Sequence, residues 1–138
     1  MITVKQSLGQ LCENIALDYL KLHNLQPIKR NYLCEHGEID LIMLEVDTLI
    51  FVEVRARKNY NFGHPIESIG ARKQERLIKT ANHFLNTNHI NENNVSLRFD
   101  AVTMKTPRSN KNQNIDYTKL THTIKILDIM WYKNIIFH

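Results

Sequence analysis

Two acidic residues in neighbouring apolar runs are the first sign of chemistry in this chain. Asp40 lies in GEIDLI (residues 37–42) and Glu53 lies in FVEVR (residues 51–55). β-branched and aromatic residues are common in both runs, and a short polar turn at residues 46–47 separates them, which predicts a β-hairpin. A hairpin centred on that turn pairs residues whose numbers sum to 93, so Asp40 is predicted to lie opposite Glu53.

The same register can be judged by the faces that it creates. One face is predicted to be an unbroken apolar surface, made by the pairs Ile39 with Val54, Leu41 with Val52 and Met43 with Ile50. A slip by one residue would mix polar and apolar groups on that face. The opposite face is divided into an apolar half and a charged half, and the charged residues are Glu38, Asp40, Glu53 and Arg55.

Opposed carboxylates on a hairpin need compensation. Directly opposed residues have Cβ atoms roughly 4.5–5.5 Å apart, and like charges at that separation repel. A retained proton, a neighbouring Arg or Lys, or a divalent cation would each relieve the repulsion. A site with only oxygen ligands favours a hard ion such as Mg²⁺, which meets its remaining ligands on water and phosphate. Alternatively, Asp40 and Glu53 are solvated charges on an exposed half-strand, paired with Arg55 and Arg57.

Composition limits the class of protein. With 138 residues, 43% hydrophobic and 23% charged, the chain fits one compact domain, residues 1–138. A formal net charge of +4 favours nucleic acid or another polyanion as partner without requiring one. Cys12 and Cys34 lack zinc-type spacing and are expected to be reduced thiols. Without a run of ~18 apolar residues or a signal peptide, a cytoplasmic protein with no membrane partner is predicted.

Hydrophobic periodicity predicts the elements that position these residues. Apolar positions at helical spacing predict an amphipathic helix over residues 7–23, with Ser7 as its cap. Glu13 lies beside the apolar stripe of this helix, one turn after Gly9. It could face the sheet or a phosphate, or it could be an ordinary solvent-facing carboxylate. A first strand is predicted over residues 27–33, ahead of the hairpin.

A second helix is predicted to supply basic groups. It is expected over residues 67–85, and Lys73 falls in line with its apolar residues Ile69 and Leu77. A lysine on an apolar stripe can bury its stem and direct its ammonium toward an acidic pocket. The basic residues around it, which could meet phosphates or only water, are Arg72, Arg76 and Lys79.

Further strands are predicted at residues 95–105, where Arg98 and Asp100 could brace the site, and at residues 119–127. The loop at residues 58–65 mixes basic, aromatic and turn residues, which suits contact with nucleic acid as well as an ordinary solvated loop. The apolar and aromatic tail, residues 128–138, could cover the core or a subunit interface. The histidines show no paired spacing, so no histidine metal site is expected.

Six sequence blocks in one order resemble the YraN family. They are GxxxE at residues 9–13, Asn31, GEIDLI at 37–42, FVEVRxR at 51–57, RKQxRL at 72–77 and RFD at 98–100. The resemblance implies an α/β restriction-endonuclease-like fold, with a central mixed β-sheet flanked by helices, related to archaeal Holliday-junction resolvases and PD-(D/E)xK nucleases. The chain departs from that nuclease motif where Ile39 replaces its proline and Arg55 replaces its lysine.

The activity that the resemblance implies is metal-dependent hydrolysis of phosphodiester bonds, in DNA and including branched DNA. Asp40 and Glu53, with Glu13 completing the cluster directly or through a water, would hold Mg²⁺ or Mn²⁺. Arg55 stays protonated and is a poor general base, so it would stabilise charge while Lys73 supplies an ammonium to the site. Related nucleases often dimerise to present two sites to a branched substrate, so a homodimer is a further expectation.

Two other function classes fit the same sequence. A catalytically degenerate nucleic-acid-binding module would bind DNA in a salt-sensitive way without cleaving it. A structural or interaction protein would do neither, and the apolar tail around Trp131 and Tyr132 would then be its partner surface. The chain does not fix the shape or sequence of a nucleic-acid substrate, because contacts to the backbone carry no sequence information.

Overall fold

One mixed β-sheet organises the residues that the computed structural model describes, which are 4–57, 69–105 and 128–136, with side chains from Leu8 onward. Its strands lie across the sheet in chain order: β1 (Gln26–Cys34), β2 (Gly37–Glu45), β3 (Thr48–Arg57), β4 (Ser96–Lys105) and β5 (Ile129–Tyr132). β3 and β4 are parallel, and all other neighbours are antiparallel. The helices are α1 (Val4–Leu22) and α2 (Ala71–Thr87), with a short 3₁₀ turn at Glu92–Asn94.

Each helix covers one face of the sheet. Because side chains alternate between the two faces of a strand, each strand contributes to two separate cores. The α1-side core includes Cys12, Ala16, Leu20, Leu41, Met43, Ile50, Val52 and Val102. The α2-side core includes Ile39, Ile42, Phe51, Leu77, Ala81, Phe84, Leu85 and Phe99. This arrangement confirms the predicted α/β class with a mixed sheet flanked by helices, and it is consistent with the restriction-endonuclease-like fold.

The predicted hairpin register is confirmed. The ladder between β2 and β3 pairs Leu41 with Val52 and Glu45 with Thr48, so paired residue numbers sum to 93. The turn is sharp, because Val46 adopts a left-handed backbone conformation with φ 56°. The predicted strands at residues 27–33 and 95–105 are also present, and their ends differ from the prediction by one residue at most.

The predicted apolar face of the hairpin is wrong at Ile39. Ile39 packs with Ile42 in the α2-side core, whereas Leu41 and Met43 pack in the α1-side core. Residues on one face of a regular strand are an even number apart, so the alternation of β2 is broken between Ile39 and Leu41. The ladder with β3 ends at the same place. Asp40, at the break, faces the α1 side beside residues of that helix.

Both helices begin elsewhere than predicted. α1 begins at Val4, so Ser7 lies inside the helix and is not its cap. The residues between Val4 and Ser7 include neither Gly nor Pro, so nothing in this segment prevents the helix from beginning before Ser7. α2 begins at Ala71, because Gly70 has an extended backbone with φ −67° and ψ 166°. Ile69 therefore precedes the helix, although its side chain is buried in the α2-side core.

The end of the chain covers the core. β5 pairs with β4, and the side chains of Ile129, Ile135 and Ile136 are buried. The predicted strand at residues 119–127 and the predicted loop at residues 58–65 lie outside the described residues, and the single-domain organisation stays a prediction. In the described part of the chain, neither helix has the length and apolar character that crossing a membrane requires.

Candidate functional site

Two adjoining clefts lie at the start of β2. The first, called the acidic cleft, has a volume of about 650 Å³ and is lined by Gly9, Gln10, Glu13, Asn31, Glu38, Asp40 and Val54. The second, called the basic cleft, has a volume of about 470 Å³ and is lined by Gly37, Glu38, Gly70, Arg72, Lys73, Arg76, Leu77 and Thr80. Glu38 lines both clefts, so they adjoin at this residue.

Of the carboxyl groups in the acidic cleft, Asp40 has the pKa that the fold raises most. Its Oδ2 accepts a hydrogen bond of 2.8 Å from the backbone N–H of Val54, just beyond the last pair of the β2–β3 ladder. Burial raises the pKa of Asp40 to about 7, against the effect of that hydrogen bond, and further contributions come from the charges of Glu53, Glu13 and Glu38. Ionised Asp40 therefore lies in a negative, poorly solvated environment.

Glu13 faces the same cleft from α1. The neighbouring Cys12 and Ala16 are buried against the sheet, which turns the Glu13 side chain toward β1 and β2. Burial raises the pKa of Glu13, and the charge of Glu38 adds to this, while the charge of Arg30 and a hydrogen bond from Asn31 act in the opposite direction. Of the two alternatives that the sequence left open for Glu13, the structure shows the sheet-facing one.

Asn31 connects two of the carboxylates. With its amide nitrogen turned toward them, it donates to Glu13 Oε1 at 2.6 Å and to Glu38 Oε1 at 3.1 Å. This orientation follows from the neighbours, because the amide oxygen would otherwise face only acceptors. Asn31 has a left-handed backbone conformation with φ 50°, which is unusual within a strand and better tolerated by Asn than by most residues.

Glu53 lies on the α2 side of the sheet with two cations. Lys73 Nζ donates to Glu53 Oε1 at 2.5 Å, and Arg55 Nε lies 3.5 Å from the same oxygen. The Glu53 side chain is only 12% exposed, so this pairing is partly shielded from water. The basic helix α2 thus reaches the candidate site through Lys73, and its first turns line the basic cleft.

The predicted pair of Asp40 with Glu53 lies beyond the β2–β3 ladder, which ends at Leu41 and Val52, and the two carboxylates have different neighbours. Asp40 shares the acidic cleft with Glu13, whereas Glu53 is held by Lys73 and Arg55. The charge of Glu53 still raises the pKa of Asp40, so the two groups interact electrostatically. Over residues 8–57, 69–105 and 128–136, no three His, Cys, Asp or Glu side chains form a group that could hold a metal ion as they stand.

The donor atoms of the acidic cleft suit a hard cation. The carboxylates of Glu13 and Asp40 supply oxygen atoms, and Val54, whose N–H donates to Asp40, also lines the cleft. Burial is the main cause of the raised pKa of both carboxyls, and neighbouring carboxylates add to it. A divalent cation would favour their ionised forms. Glu53 could become a ligand only by exchanging Lys73 for the ion.

Two residues of the acidic cleft were given no role from the sequence alone. Glu38 was placed on the charged half of the hairpin, and Asn31 entered only as part of a family motif. The available signal for Asn31 was its type, because Asn is disfavoured inside a strand unless its position has a special geometry. Glu38 carried no comparable signal, since an exposed glutamate next to a turn is ordinary.

Arg98 and Asp100 connect β4 to the chain end. Asp100 is fully buried and accepts hydrogen bonds from Arg98 Nε at 2.9 Å, Trp131 Nε1 at 2.9 Å and the backbone N–H of Asn134 at 2.8 Å. The hydrogen bond to Asp100 raises the pKa of Arg98. In the parallel ladder Asp100 lies beside Val52, the residue before Glu53. The bracing expected of Arg98 and Asp100 stays a prediction, and the structure connects these residues to the site only through this neighbouring strand.

Comparison with known proteins gives consistent matches. The model of the family described as "Uncharacterised protein family UPF0102" matches residues 12–104. A UPF0102 protein of Psychromonas ingrahamii is 47% identical over 102 residues, which cover 74% of this chain and 81% of that protein. A relative from Photobacterium profundum is 40% identical over 103 residues, covering 75% and 82%. One from Legionella pneumophila is 42% identical over 106 residues, covering 77% and 88%.

Proposed function

We propose, on the premise that the chain belongs to the uncharacterised protein family UPF0102, the YraN family, that it is a metal-dependent nuclease. Its reaction is the hydrolysis of phosphodiester bonds in DNA, including branched DNA. The names of the relatives state no activity, so the support comes from the chemistry of the site. The main observation is Asp40, a partly buried carboxyl with its pKa raised to about 7 in a cleft that it shares with Glu13 and Glu38.

Mg²⁺ or Mn²⁺ is the proposed cofactor. Asp40, Glu13 and the carbonyl of Val54 would hold the ion, and Glu53 would join them after releasing Lys73. When bound, such an ion polarises a phosphate and lowers the pKa of a water molecule, which is the chemistry that phosphodiester hydrolysis needs. The support for this choice is the oxygen-only donor set and the uncompensated negative charge around Asp40.

Lys73 and Arg55 have separate proposed roles. Arg55 cannot lose its proton near neutral pH, so it stabilises negative charge on the phosphate and does not act as a base. Lys73 shares Glu53 with Arg55 in the structure. If Glu53 held the cation, its contact with Lys73 would be lost, and the ammonium of Lys73 would be free to donate a hydrogen bond to the substrate. In this proposal the lysine on α2 does the work for which related nucleases use a lysine at the position of Arg55.

A cleavage assay tests the proposal. The purified protein is incubated with linear, flapped and four-way DNA in the presence of Mg²⁺ or Mn²⁺. The control is Asp40→Asn, because the asparagine oxygen can still accept the hydrogen bond from Val54 while the negative charge is lost. We expect metal-dependent cleavage that falls about 100-fold or more in the variant. Cleavage that survives in the variant would come from a contaminant or another site and would contradict the proposal.

A catalytically degenerate DNA-binding module is the second candidate. It is supported by Arg55 in place of the motif lysine, and by Glu53, which is already neutralised by Lys73. Such a module would bind DNA with a strong dependence on salt and would cleave none of the substrates with either metal. The same assay, combined with a binding measurement, separates the two candidates.

A cytoplasmic location and a homodimer are also proposed. In the described part of the chain Cys12 and Cys34 are free thiols, as in proteins of reducing compartments. Burial raises the pKa of the Cys12 thiol to about 11, so it is a packing residue and not a reactive group. A homodimer would present two sites to branched DNA, and analytical ultracentrifugation with and without a four-way junction would detect it.

A further inference from the structure

We propose that the basic cleft binds a second phosphate of the DNA strand, adjacent to the phosphate in the acidic cleft, and that Arg72 and Arg76 are its ligands. This inference rests on the proposed nuclease function and adds a substrate contact outside the catalytic group. It also predicts the path of the DNA strand, which crosses the start of β2 from the α1 side of the sheet to the α2 side.

The two arginines are available for a ligand. They are four residues apart on α2, so their Cβ atoms lie on one side of the helix at roughly 5–6 Å. Both side chains are exposed and both line the basic cleft. Neither has an ion pair or a side-chain hydrogen bond with any residue in the described ranges, whereas Lys73 pairs with Glu53 and Lys79 pairs with Glu75.

The placement of these charges opposes the stability of the helix. Arg72 and Lys73 lie in the first turn of α2, which has no acidic residue, and Gly70 provides no side-chain cap. The helix dipole favours negative charge at this end and disfavours cations. Lys73 is compensated by Glu53, whereas no residue in the described ranges forms an ion pair with Arg72. A cation at this end of a helix without such a partner is typical of a functional position, and an anionic ligand would compensate it.

The shape of the cleft depends on Gly37. This residue has φ +149°, and a Cβ at its position would lie 3.3 Å from Thr80 Oγ1. A side chain at this position would therefore be strained and would press against α2 at the edge of the basic cleft. The carboxylate of Glu38 accepts a hydrogen bond from Asn31 on the β1 side, so part of its charge is directed to the acidic cleft. Glu38 lines both clefts, so the candidate cation site and the two arginines lie on either side of the start of β2.

The chemistry of the side chains fits a phosphodiester. A guanidinium presents its N–H groups as a planar fork that binds two phosphate oxygens at once, and it carries a charge that does not titrate near neutral pH. Two such groups beside a cleft of about 470 Å³ leave room for a phosphate and part of its sugar. A free phosphate ion offers the same oxygens, so the experiment must distinguish it from DNA.

The test is DNA binding measured by fluorescence anisotropy at several salt concentrations, with Ca²⁺ in place of Mg²⁺ so that affinity is separated from cleavage. The variants are Arg72→Gln, Arg76→Gln and the double substitution. Lys79→Gln is the matched control, because Lys79 is an exposed cation on the same helix that does not line the cleft. We expect each arginine variant to bind more weakly and to reduce the salt slope by about 1, with little change in the control.

Several outcomes would overturn the inference. Equal losses in the Lys79 control and the arginine variants would mean that only net charge matters. Inorganic phosphate that binds the native protein tightly, together with normal DNA affinity in the arginine variants, would assign the cleft to a free anion. If the native protein cleaves DNA and the arginine variants bind DNA normally, this inference is wrong while the proposed function stands. If the native protein neither binds nor cleaves DNA, the proposed function is wrong as well.

Discussion

Asp40 shows how one residue can be placed where its ionised form is unfavourable. The break in the alternation of β2 turns it toward α1, where Glu13 and Glu38 are already present. The only compensation from its own hairpin is the backbone N–H of Val54. Ionised Asp40 therefore lowers the stability of the fold, and under the proposed function a bound cation would restore it.

Because the ionised form of Asp40 is unfavourable in this environment, the stability of the protein is predicted to depend on pH. The pKa of Asp40 rises from 3.8 to about 7 on folding, so between these values the folded protein keeps a proton that the unfolded chain releases. The free energy of unfolding therefore falls as the pH rises from 4 to 7. Each unit corresponds to about 1.4 kcal/mol, so the loss is at most about 4 kcal/mol for the metal-free protein.

Asp40→Asn removes this loss. We expect the metal-free variant to be more stable than the native protein at pH 8, by about 2–4 kcal/mol, and the two proteins to be nearly equal at pH 4. Urea unfolding in the presence of a chelator, followed by circular dichroism across this pH range, measures both. A constant difference at every pH would show that the carboxyl of Asp40 is not the cause.

Sequence reasoning at the residue scale found the acidic groups but not all of their neighbours. The hairpin register follows from the apolar pattern and is confirmed over residues 41–52. The predicted pair of Asp40 with Glu53 lies beyond this ladder, and the two carboxyls face different helices. The pattern could not reveal the break at Ile39, because a change of backbone alternation leaves the residue types unchanged. It also could not show that Asn31 joins Glu13 to Glu38, since that contact depends on a left-handed residue on a neighbouring strand.

At the scale of elements, α2 delivers the positive charge of the site. Its core-facing residues fix the helix against β2 and β3, and its first two turns then lie at the start of β2. The prediction of this helix was correct in type and wrong at its beginning, because Ile69 continues the apolar spacing although Gly70 interrupts the helix. Lys73 is consequently in the first turn, which brings its ammonium to Glu53.

Lys73→Met tests the role of that contact, because methionine keeps the apolar stem without the ammonium. We expect cleavage to fall about 100-fold, while Mn²⁺ binds more tightly because Glu53 has lost a competing partner. The Lys73 side chain is 45% exposed, so the loss of stability should be below about 1 kcal/mol. Enzyme assays, calorimetric Mn²⁺ titration and urea unfolding provide the three measurements.

The control for this experiment is Lys79→Met on the same helix, which should change none of them. Arg55→Ala provides the comparison within the site. If the Lys73 variant cleaves at the native rate and the Arg55 variant is inactive, the role proposed for Lys73 is wrong and belongs to Arg55.

Alanine substitutions at two glycines are expected to change the free energy of unfolding in opposite directions. Gly37→Ala should destabilise the protein by about 1–3 kcal/mol, because alanine is strained at φ +149° and its Cβ would be close to Thr80. Gly9→Ala should stabilise it by roughly 0.5–1 kcal/mol, since Gly9 lies within α1 and an added Cβ meets nothing within 4 Å. Urea unfolding of both variants measures the difference. Similar effects would mean that the close approach of β2 to α2 is not needed.

At the scale of the whole molecule, Asp100 joins the last strand to the centre of the sheet. A sequence pattern places Asp100 on a strand face but cannot show that it is fully buried, because its partners Trp131 and Asn134 are more than thirty residues away. The backbone N–H of Ile135 also donates to the carbonyl of Phe99. The end of the chain is therefore held by hydrogen bonds as well as by its buried isoleucines.

Asp100→Ala should be strongly destabilising, by about 3–5 kcal/mol, because it leaves Arg98 and the other donors without their shared acceptor. Trp131→Phe is the graded comparison: it removes one donor and should cost roughly 1 kcal/mol. Guanidinium unfolding followed by circular dichroism applies to both, since fluorescence would be lost with the tryptophan. A small effect of the Asp100 substitution would show that the buried isoleucines alone hold β5.

The left-handed conformation of Asn31 also has a consequence for the edge of the sheet. Among the described strands β1 lies at one edge, and it has nine residues with exposed Ile28 and Leu33. Such an edge can recruit a strand from another molecule. The register shift between Pro27 and Lys29, together with φ 50° at Asn31, makes the backbone of β1 irregular. An irregular edge is a poor template for pairing, so we expect the residue that joins two carboxylates also to disfavour edge-to-edge aggregation.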